Sequence, residues 1–150
     1  MLATGFGTGT DFLRMWQRWR DDSRRGRRLV YIAVEPQPPQ RADIAAPDDA
    51  TEPLAERLRA AWPPLTRNLH RLAFEDDAVE LLLAVGEWRD WARELVAGID
   101  AFELAAPLPA PDLHGAKALG RLAAPGATLV AAGPAREWRA PLAAAGFVVD

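Results

Sequence analysis

The chain contains no cysteine, and His70 and His114 are its two histidines. A disulfide framework and a thiolate zinc site are therefore excluded, and metal chemistry is not expected. Lysine is almost missing as well: Lys117 stands alone, so arginine carries the positive charge. With Lys+Arg 18 against Asp+Glu 21 the formal net charge is -3, which excludes a global basic field for nucleic acid. No stretch approaches the roughly 20 apolar residues that span a bilayer. The opening residues also lack the basic, apolar, small-residue order of a secretion signal, so no membrane is expected and the cytoplasm is the expected location.

What is present is enough apolar material for one core: 49% of the 150 residues are hydrophobic. A single domain spanning 1-150 is the expectation. The composition is rich in alanine, arginine and proline, which reads as genome composition rather than as a binding adaptation.

The pattern along the chain alternates strand and helix. Met1 to Thr4 reads as the tail of a strand, followed by Gly5-Phe6-Gly7-Thr8-Gly9. Beyond it Phe12, Met15, Trp16 and Trp19 recur at the three- and four-residue spacing of one helical stripe. Leu29 to Val34 is β-branched, aromatic and apolar throughout, as in a strand covered on both faces, and it ends in Glu35. The segment 36-49 carries Pro36, Pro38, Pro39 and Pro47 and reads as a loop. A helix from Glu52 to Trp62 stops at Pro63-Pro64. His70 to Phe74 and Val79 to Val85 flank the polar turn Glu75-Asp76-Asp77 as a strand pair. Further on, the pattern predicts a helix over Trp88 to Val96, a strand over Ile99 to Leu104 and a proline-rich loop from Ala105 to Asp112. Leu113 to Ala123 reads as a helix, Pro125-Gly126 as a turn and Ala127 to Ala131 as a strand. Arg136 to Ala145 is then a helix, and Phe147 to Val149 a last strand. Strands separated by helices imply an α/β fold, with a Rossmann-like, doubly wound, mostly parallel sheet.

The sharp motif is the alternation of Gly5, Gly7 and Gly9 between a strand end and a helix start. Such glycines allow positive φ and close approach of a ligand, while the helix amino end offers unpaired N–H groups. A dinucleotide fingerprint needs G-x-G-x-x-G, and here Thr10 falls where the last glycine belongs. No Gly-Lys-Ser/Thr follows, so a P-loop is disfavoured, and the G-x-G-x-G spacing is the one typical of S-adenosylmethionine folds. Glu35, ending the second strand, could accept from both ribose hydroxyls, or be a solvated carboxylate. Glu87, after Gly86, could accept from an adenine amine, or simply favour a helix dipole. Arg14, Arg18, Arg20, Arg24, Arg25, Arg27 and Arg28 cluster on and after the first helix, interleaved with Trp16 and Trp19. They read either as a patch for tRNA phosphates or as a solvated helix face.

Thr4-Gly-Phe-Gly-Thr-Gly-Thr-Asp-Phe-Leu13, Trp16-Gln-Arg-Trp19, Val34-Glu-Pro36, Ala61-Trp-Pro-Pro-Leu65, His70-Arg-Leu72 and Ala124-Pro-Gly-Ala-Thr-Leu129 occur in this order. Together they resemble the methyltransferase domain of the MnmC family of bifunctional tRNA wobble-uridine enzymes. The resemblance implies a class I methyltransferase fold with incomplete first and last strands, and S-adenosylmethionine as cofactor. It implies methyl transfer to the primary amine of an aminomethyl group on the wobble uridine of tRNA. The implied donor site is built from Gly5, Gly7, Gly9, Glu35 and Glu87, with Phe6, Thr8, Phe12, Pro36 and Gly86 completing the candidate set.

The chain departs from that pattern at several positions. Ala105 stands where the family has the aspartate taken as its acid-base group, and Asp112 or Glu103 could replace it only along another loop path. Ala3 stands where an acidic residue usually precedes the glycines, and Glu87 where the family has aspartate. The catalytic group is therefore unassigned. Met1 begins inside the motif, so the first strand is expected to be incomplete. A catalytically inactive remnant that binds cofactor or a partner is the alternative, with a nicotinamide-dependent oxidoreductase disfavoured by the glycine spacing.

Overall fold

The computed structural model describes residues 1-105, 112-132 and 135-149. Among them the chain forms β1 (Leu2–Thr4), α1 (Thr10–Asp21), β2 (Leu29–Glu35), α2 (Glu52–Ala61), β3 (Leu69–Phe74) and β4 (Val79–Val85). It continues with α3 (Trp88–Glu94), β5 (Ile99–Leu104), α4 (Leu113–Leu122), β6 (Ala123–Ala131) and α5 (Ala135–Ala144). These elements fall into two compact units, one of Gly5–Gly86 and one of Met1–Thr4 with the residues from Glu87 onward. Each combines helices with parallel strand pairs, β3 alone running antiparallel, which is the α/β class that the alternating pattern predicts.

In the unit Gly5–Gly86, β2 is buried because its apolar run leaves neither face for water: Tyr31, Ile32, Ala33 and Val34 are all buried. It pairs in parallel with β4, from Leu29 opposite Val79 to Glu35 opposite Val85. β4 in turn pairs antiparallel with β3. That hairpin turns on Glu75, Asp76 and Asp77, whose φ values of 53, 52 and 65° are left-handed, a conformation that the short side chains of the two aspartates tolerate well. The helical stripe is found on α1, with Phe12, Leu13 and Trp16 buried and Trp19 only half-buried. Phe12 packs edge-on against Tyr31 at 5.3 Å between ring centroids, and Trp16 lies 4.5 Å from Phe74. Burying such rings contributes roughly 1.5–3 kcal/mol each.

The proline-bearing segment is a loop with one 3-10 turn, Arg41–Asp43. Side chains strap it down: Trp62 Nε1 donates to the Pro39 carbonyl at 3.1 Å, and Arg59 Nη1 to the Ile44 carbonyl at 2.9 Å. Arg41 Nη2 donates to the Trp62 carbonyl at 3.2 Å.

In the other unit β5 pairs in parallel with β1 and with β6. Here three expectations are corrected. Pro125-Gly126 is not a turn before the strand but lies within β6, which begins at Ala123. The register explains how: β6 advances from Ala123 to Thr128 while β5 advances only from Ile99 to Ala101, so the proline, lacking a donor, sits in an irregularity of the ladder. Helix α3 ends at Glu94, short of Val96, where Arg121 donates to the carbonyls of Ala92 at 2.7 Å and Leu95 at 2.9 Å. Phe147 to Val149 forms no strand; Gly146 at φ 94° ends α5, Phe147 N donates back to the Leu142 carbonyl at 3.0 Å, and the Phe147 ring packs on Phe102. Of the loop expected over Ala105 to Asp112, residues 106-111 lie outside the described residues.

Candidate functional site

The glycine loop owes its path to backbone conformations that side chains resist: Gly5, Gly7 and Gly9 have φ of 101, 57 and 85°. Gly5 N donates to the Val34 carbonyl at 2.7 Å, which ties the loop to the carboxyl end of β2. Gly9 N returns to the Phe6 carbonyl at 3.0 Å, and the Gly9 carbonyl accepts from Leu13 N at 3.0 Å, opening α1. A Cβ on Gly9 would lie 3.2 Å from the Phe6 ring and 3.4 Å from Leu58. The Phe6 ring itself is turned into the core, stacked on Trp62 at 5.4 Å and 22°. Ala45 N donates to the Thr8 carbonyl at 3.1 Å, so the proline segment also supports the loop.

Glu35 faces this loop directly. Its Oε2 accepts from Phe6 N at 2.8 Å and from Gly7 N at 3.4 Å, and its Oε1 accepts from Gln37 N at 2.9 Å. The Glu35 carbonyl accepts from Gly86 N at 3.1 Å, which brings the ends of β2 and β4 together with the glycines. The sequence reading leaves this carboxylate free for a ribose; the structure engages it with three backbone N–H groups. A carboxylate offers about four lone-pair positions, so one acceptor position remains without moving the loop. The residues thus fit an adenosine whose ribose gives one hydroxyl to Glu35, and a second only if a loop amide lets go. Gly9 has no side chain to cap α1, and the helix makes no side-chain cap bond, so no capping side chain takes up its first-turn amides.

Other sequence candidates fare differently. Thr8 is exposed, with its hydroxyl 3.1 Å from that of Thr10, and Pro36 is exposed beside Glu35. Gly86, at φ 149°, is buried at the end of β4. Phe12 is 1% exposed in the aromatic core, so its ring is a support beneath the loop and not a lining of it. In the other unit Glu87 is the exposed N-cap of α3 and its side chain makes no cap bond. Ala105 N donates to Thr4 Oγ1 at 3.0 Å. Of the carboxylates weighed as substitutes for the missing aspartate, Glu103 is exposed on β5, and Asp112 caps α4 by accepting from Gly115 N at 2.8 Å. That backbone N–H holds the Asp112 carboxyl below the usual aspartate range. Sequence reasoning missed Trp62, whose position just before Pro63-Pro64 is the signal that could have marked it as a loop support.

No family model matches the chain. Over its whole length it is 44% identical to the tRNA 5-methylaminomethyl-2-thiouridine biosynthesis bifunctional protein MnmC of Methylibium petroleiphilum, of which it covers 24%. The chain is MnmC-like. Proteins of the same name from Aromatoleum aromaticum and Cupriavidus metallidurans are 43% and 40% identical over 98% of the chain, covering 24% and 23% of their lengths. The MnmC-like chain thus spans about a quarter of these relatives. Among its described residues no group of three or more His, Asp or Glu is placed to hold a metal, and no helix is long and apolar enough to cross a membrane. His70 Nε2 is occupied locally, 2.9 Å from the Thr66 carbonyl.

Proposed function

We propose that this MnmC-like chain is an S-adenosylmethionine-binding, methyltransferase-type domain acting in the cytoplasm on the aminomethyl group of the tRNA wobble uridine. The observation that carries the reading is the Glu35 carboxylate held against the amides of Phe6 and Gly7, with one acceptor position left for a ribose. Gly5, Gly7, Gly9 and Glu35 hold the adenosine, with Gly86 closing the end of β4. The bound cofactor supplies an activated methyl group. The chain's own contribution is placement: the loop orients the donor, and the acceptor amine must arrive deprotonated and aligned. Similarity to proteins named for the biosynthesis of 5-methylaminomethyl-2-thiouridine in tRNA supports the acceptor.

Calorimetric titration with S-adenosylhomocysteine tests the cofactor claim, with saturable binding expected. No heat from the folded chain at millimolar ligand sinks it. Undermodified tRNA and labelled donor then test transfer, with label expected in the wobble base.

One observation favours a second reading, a cofactor-binding remnant without catalysis. Ala105 stands where the resembled family carries aspartate, and its amide is committed to Thr4 Oγ1. Under that reading S-adenosylhomocysteine binds but no label reaches the tRNA, and Ala105→Asp does not restore it.

A further inference from the structure

The arginine cluster sits at the opposite end of β2 from the glycine loop. Leu29 N donates to the Ala78 carbonyl at 2.8 Å, so residues 22-28 and the turn at 75-78 share the amino-terminal edge, while Glu35 and the glycines share the carboxyl edge. The seven residues of β2, at about 3.3 Å each, separate the two edges by about 20 Å.

At that amino-terminal edge Trp19, Arg20, Arg25, Gly26, Arg27, Glu75 and Ala78 line a depression of about 680 Å³. Its shape is held by contacts that leave charge outward. Trp19 Nε1 donates to the Gly26 carbonyl at 3.1 Å, and the Arg25 guanidinium lies 4.8 Å over the Trp19 ring. Arg25 Nη1 donates to the Arg20 carbonyl at 3.1 Å, a neutral partner that does not cancel its charge. Among the nearby carboxylates Glu75 is neutralised by Arg57 at 2.8 Å and also accepts from Trp16 at 3.1 Å, whereas Asp21 and Asp22 take only the neutral donors Gln17 and Arg24 N and keep their charge, two against the seven arginines of residues 14-28. Glu75 is also 3.8 Å from Arg20, and Arg28 is paired with Glu80 at 2.6 Å. The side chains of Arg18, Arg24 and Arg27 are exposed and enter no ion pair among the described residues. Residues 14-28 hold seven of the chain's 18 cations, in a protein whose net charge is -3, so the field here is local.

We propose that this arginine and tryptophan depression is a docking site for the phosphate backbone of a folded RNA, remote from the glycine loop. Guanidinium groups present paired N–H donors that match phosphate oxygens. The half-exposed Trp19–Arg25 stack adds a planar surface that suits RNA better than an acidic peptide. The identity of that RNA as tRNA rests on the function proposed above; the docking site itself does not. Its distance from the glycine loop gives it a role in affinity and not in the methyl-transfer step.

The test is fluorescence anisotropy of a labelled tRNA transcript with the full chain, from 50 to 200 mM salt, beside R24E/R27E and the charge-retaining R24K/R27K. R24E/R27E is expected to bind 10- to 100-fold more weakly, with a salt slope shallower by about two, while R24K/R27K keeps the slope. Circular dichroism and S-adenosylhomocysteine affinity should be unchanged in both. Equal RNA affinity and slope for wild type and R24E/R27E overturns the proposal, as does displacement of RNA by polyglutamate at equal charge concentration. Wild type that binds RNA through these arginines but takes no S-adenosylhomocysteine sinks the cofactor reading and leaves the docking site standing. Methyl transfer that survives R24E/R27E with unchanged KM for tRNA does the reverse.

Discussion

A glutamate gathers the donors at each end of β2, and the two do so in opposite ways. Glu35, at the carboxyl end, accepts from main-chain amides of Phe6, Gly7 and Gln37. Glu75, at the amino end, accepts from the side chains of Arg57 and Trp16, with Arg20 nearby. The first arrangement couples a carboxylate to the path of a loop and leaves room for a ligand; the second couples a hairpin turn to two helices. One end therefore fixes a loop and is the end proposed for binding, and the other holds α1, α2 and the β3–β4 turn together, with arginines left over on its surface.

The largest break of that comparison is at the structural end. Trp16 is fully buried, packs on Phe12 and Phe74, carries the Arg57 guanidinium 5.0 Å over its ring and donates to Glu75. Trp16→Ala leaves a cavity and takes one of its donors from the Glu75 carboxylate, and a loss of about 3–5 kcal/mol is expected in urea unfolding. A loss under about 1.5 kcal/mol would mean that the rings are not the core of this unit. At the binding end Glu35→Ala orphans the Phe6, Gly7 and Gln37 amides. They lie near water, so the expected cost is smaller, about 1–3 kcal/mol. S-adenosylhomocysteine binding should disappear along with it. Retained binding with the same loss of stability would separate the loop's architecture from its ligand.

The glycines sharpen the same contrast between strain and contact. Gly7, at φ 57°, has open space where a Cβ would go, whereas the Cβ of an alanine at position 9, at φ 85°, meets the Phe6 ring at 3.2 Å. Gly7→Ala should cost only the left-handed conformation, roughly 1 kcal/mol. Gly9→Ala should cost roughly 2 kcal/mol and disturb the Phe6–Trp62 stack as well, visible as a shift in tryptophan fluorescence. Equal costs would show that the ring yields freely.

These regions also differ in how far the sequence announced them. The β-branched run of β2, the aromatic spacing on α1 and the acidic hairpin turn each express a local preference that packing then reinforces, and all are found where they were expected. The glycine alternation and the strand-terminal Glu35 marked two elements that do meet. What no local pattern could carry was the partner of each group. That the Glu35 carboxylate would turn onto the loop amides, or that Trp62 would stack on Phe6, depends on residues 28 to 56 positions apart. The burial of the Phe12 ring was not legible either, because a ring next to the loop and a ring beneath it share the same helical spacing. In the other unit the signals were weaker. Ala, Gly and Pro around Pro125-Gly126 suit a turn or an irregular strand equally, and only pairing with β5 decided for the strand.

The smallest effect concerns the charge at the structural end. Partial burial pushes the Glu75 carboxyl up, but hydrogen bonds from Arg57 and Trp16 with the nearby guanidinium charges outweigh it, and the group ends below the ordinary glutamate range. A folded-state pKa below the unfolded one means that Glu75 stabilises the fold above the ordinary glutamate range. That stabilisation is lost as pH falls through the lowered value. Glu75→Gln removes this titration and weakens the pairs with Arg57 and Arg20. At pH 7 the variant should be less stable by roughly 0.5–1 kcal/mol, a figure held down by solvent screening of a partly exposed pair. The difference should close as the acid range is entered, because both proteins then carry a neutral side chain at this position. Urea midpoints measured for both from pH 7 downward read it directly. A gap that stays constant with pH would assign the stabilisation at this end to ring packing, and the charge of Glu75 would contribute nothing to holding the turn on α1.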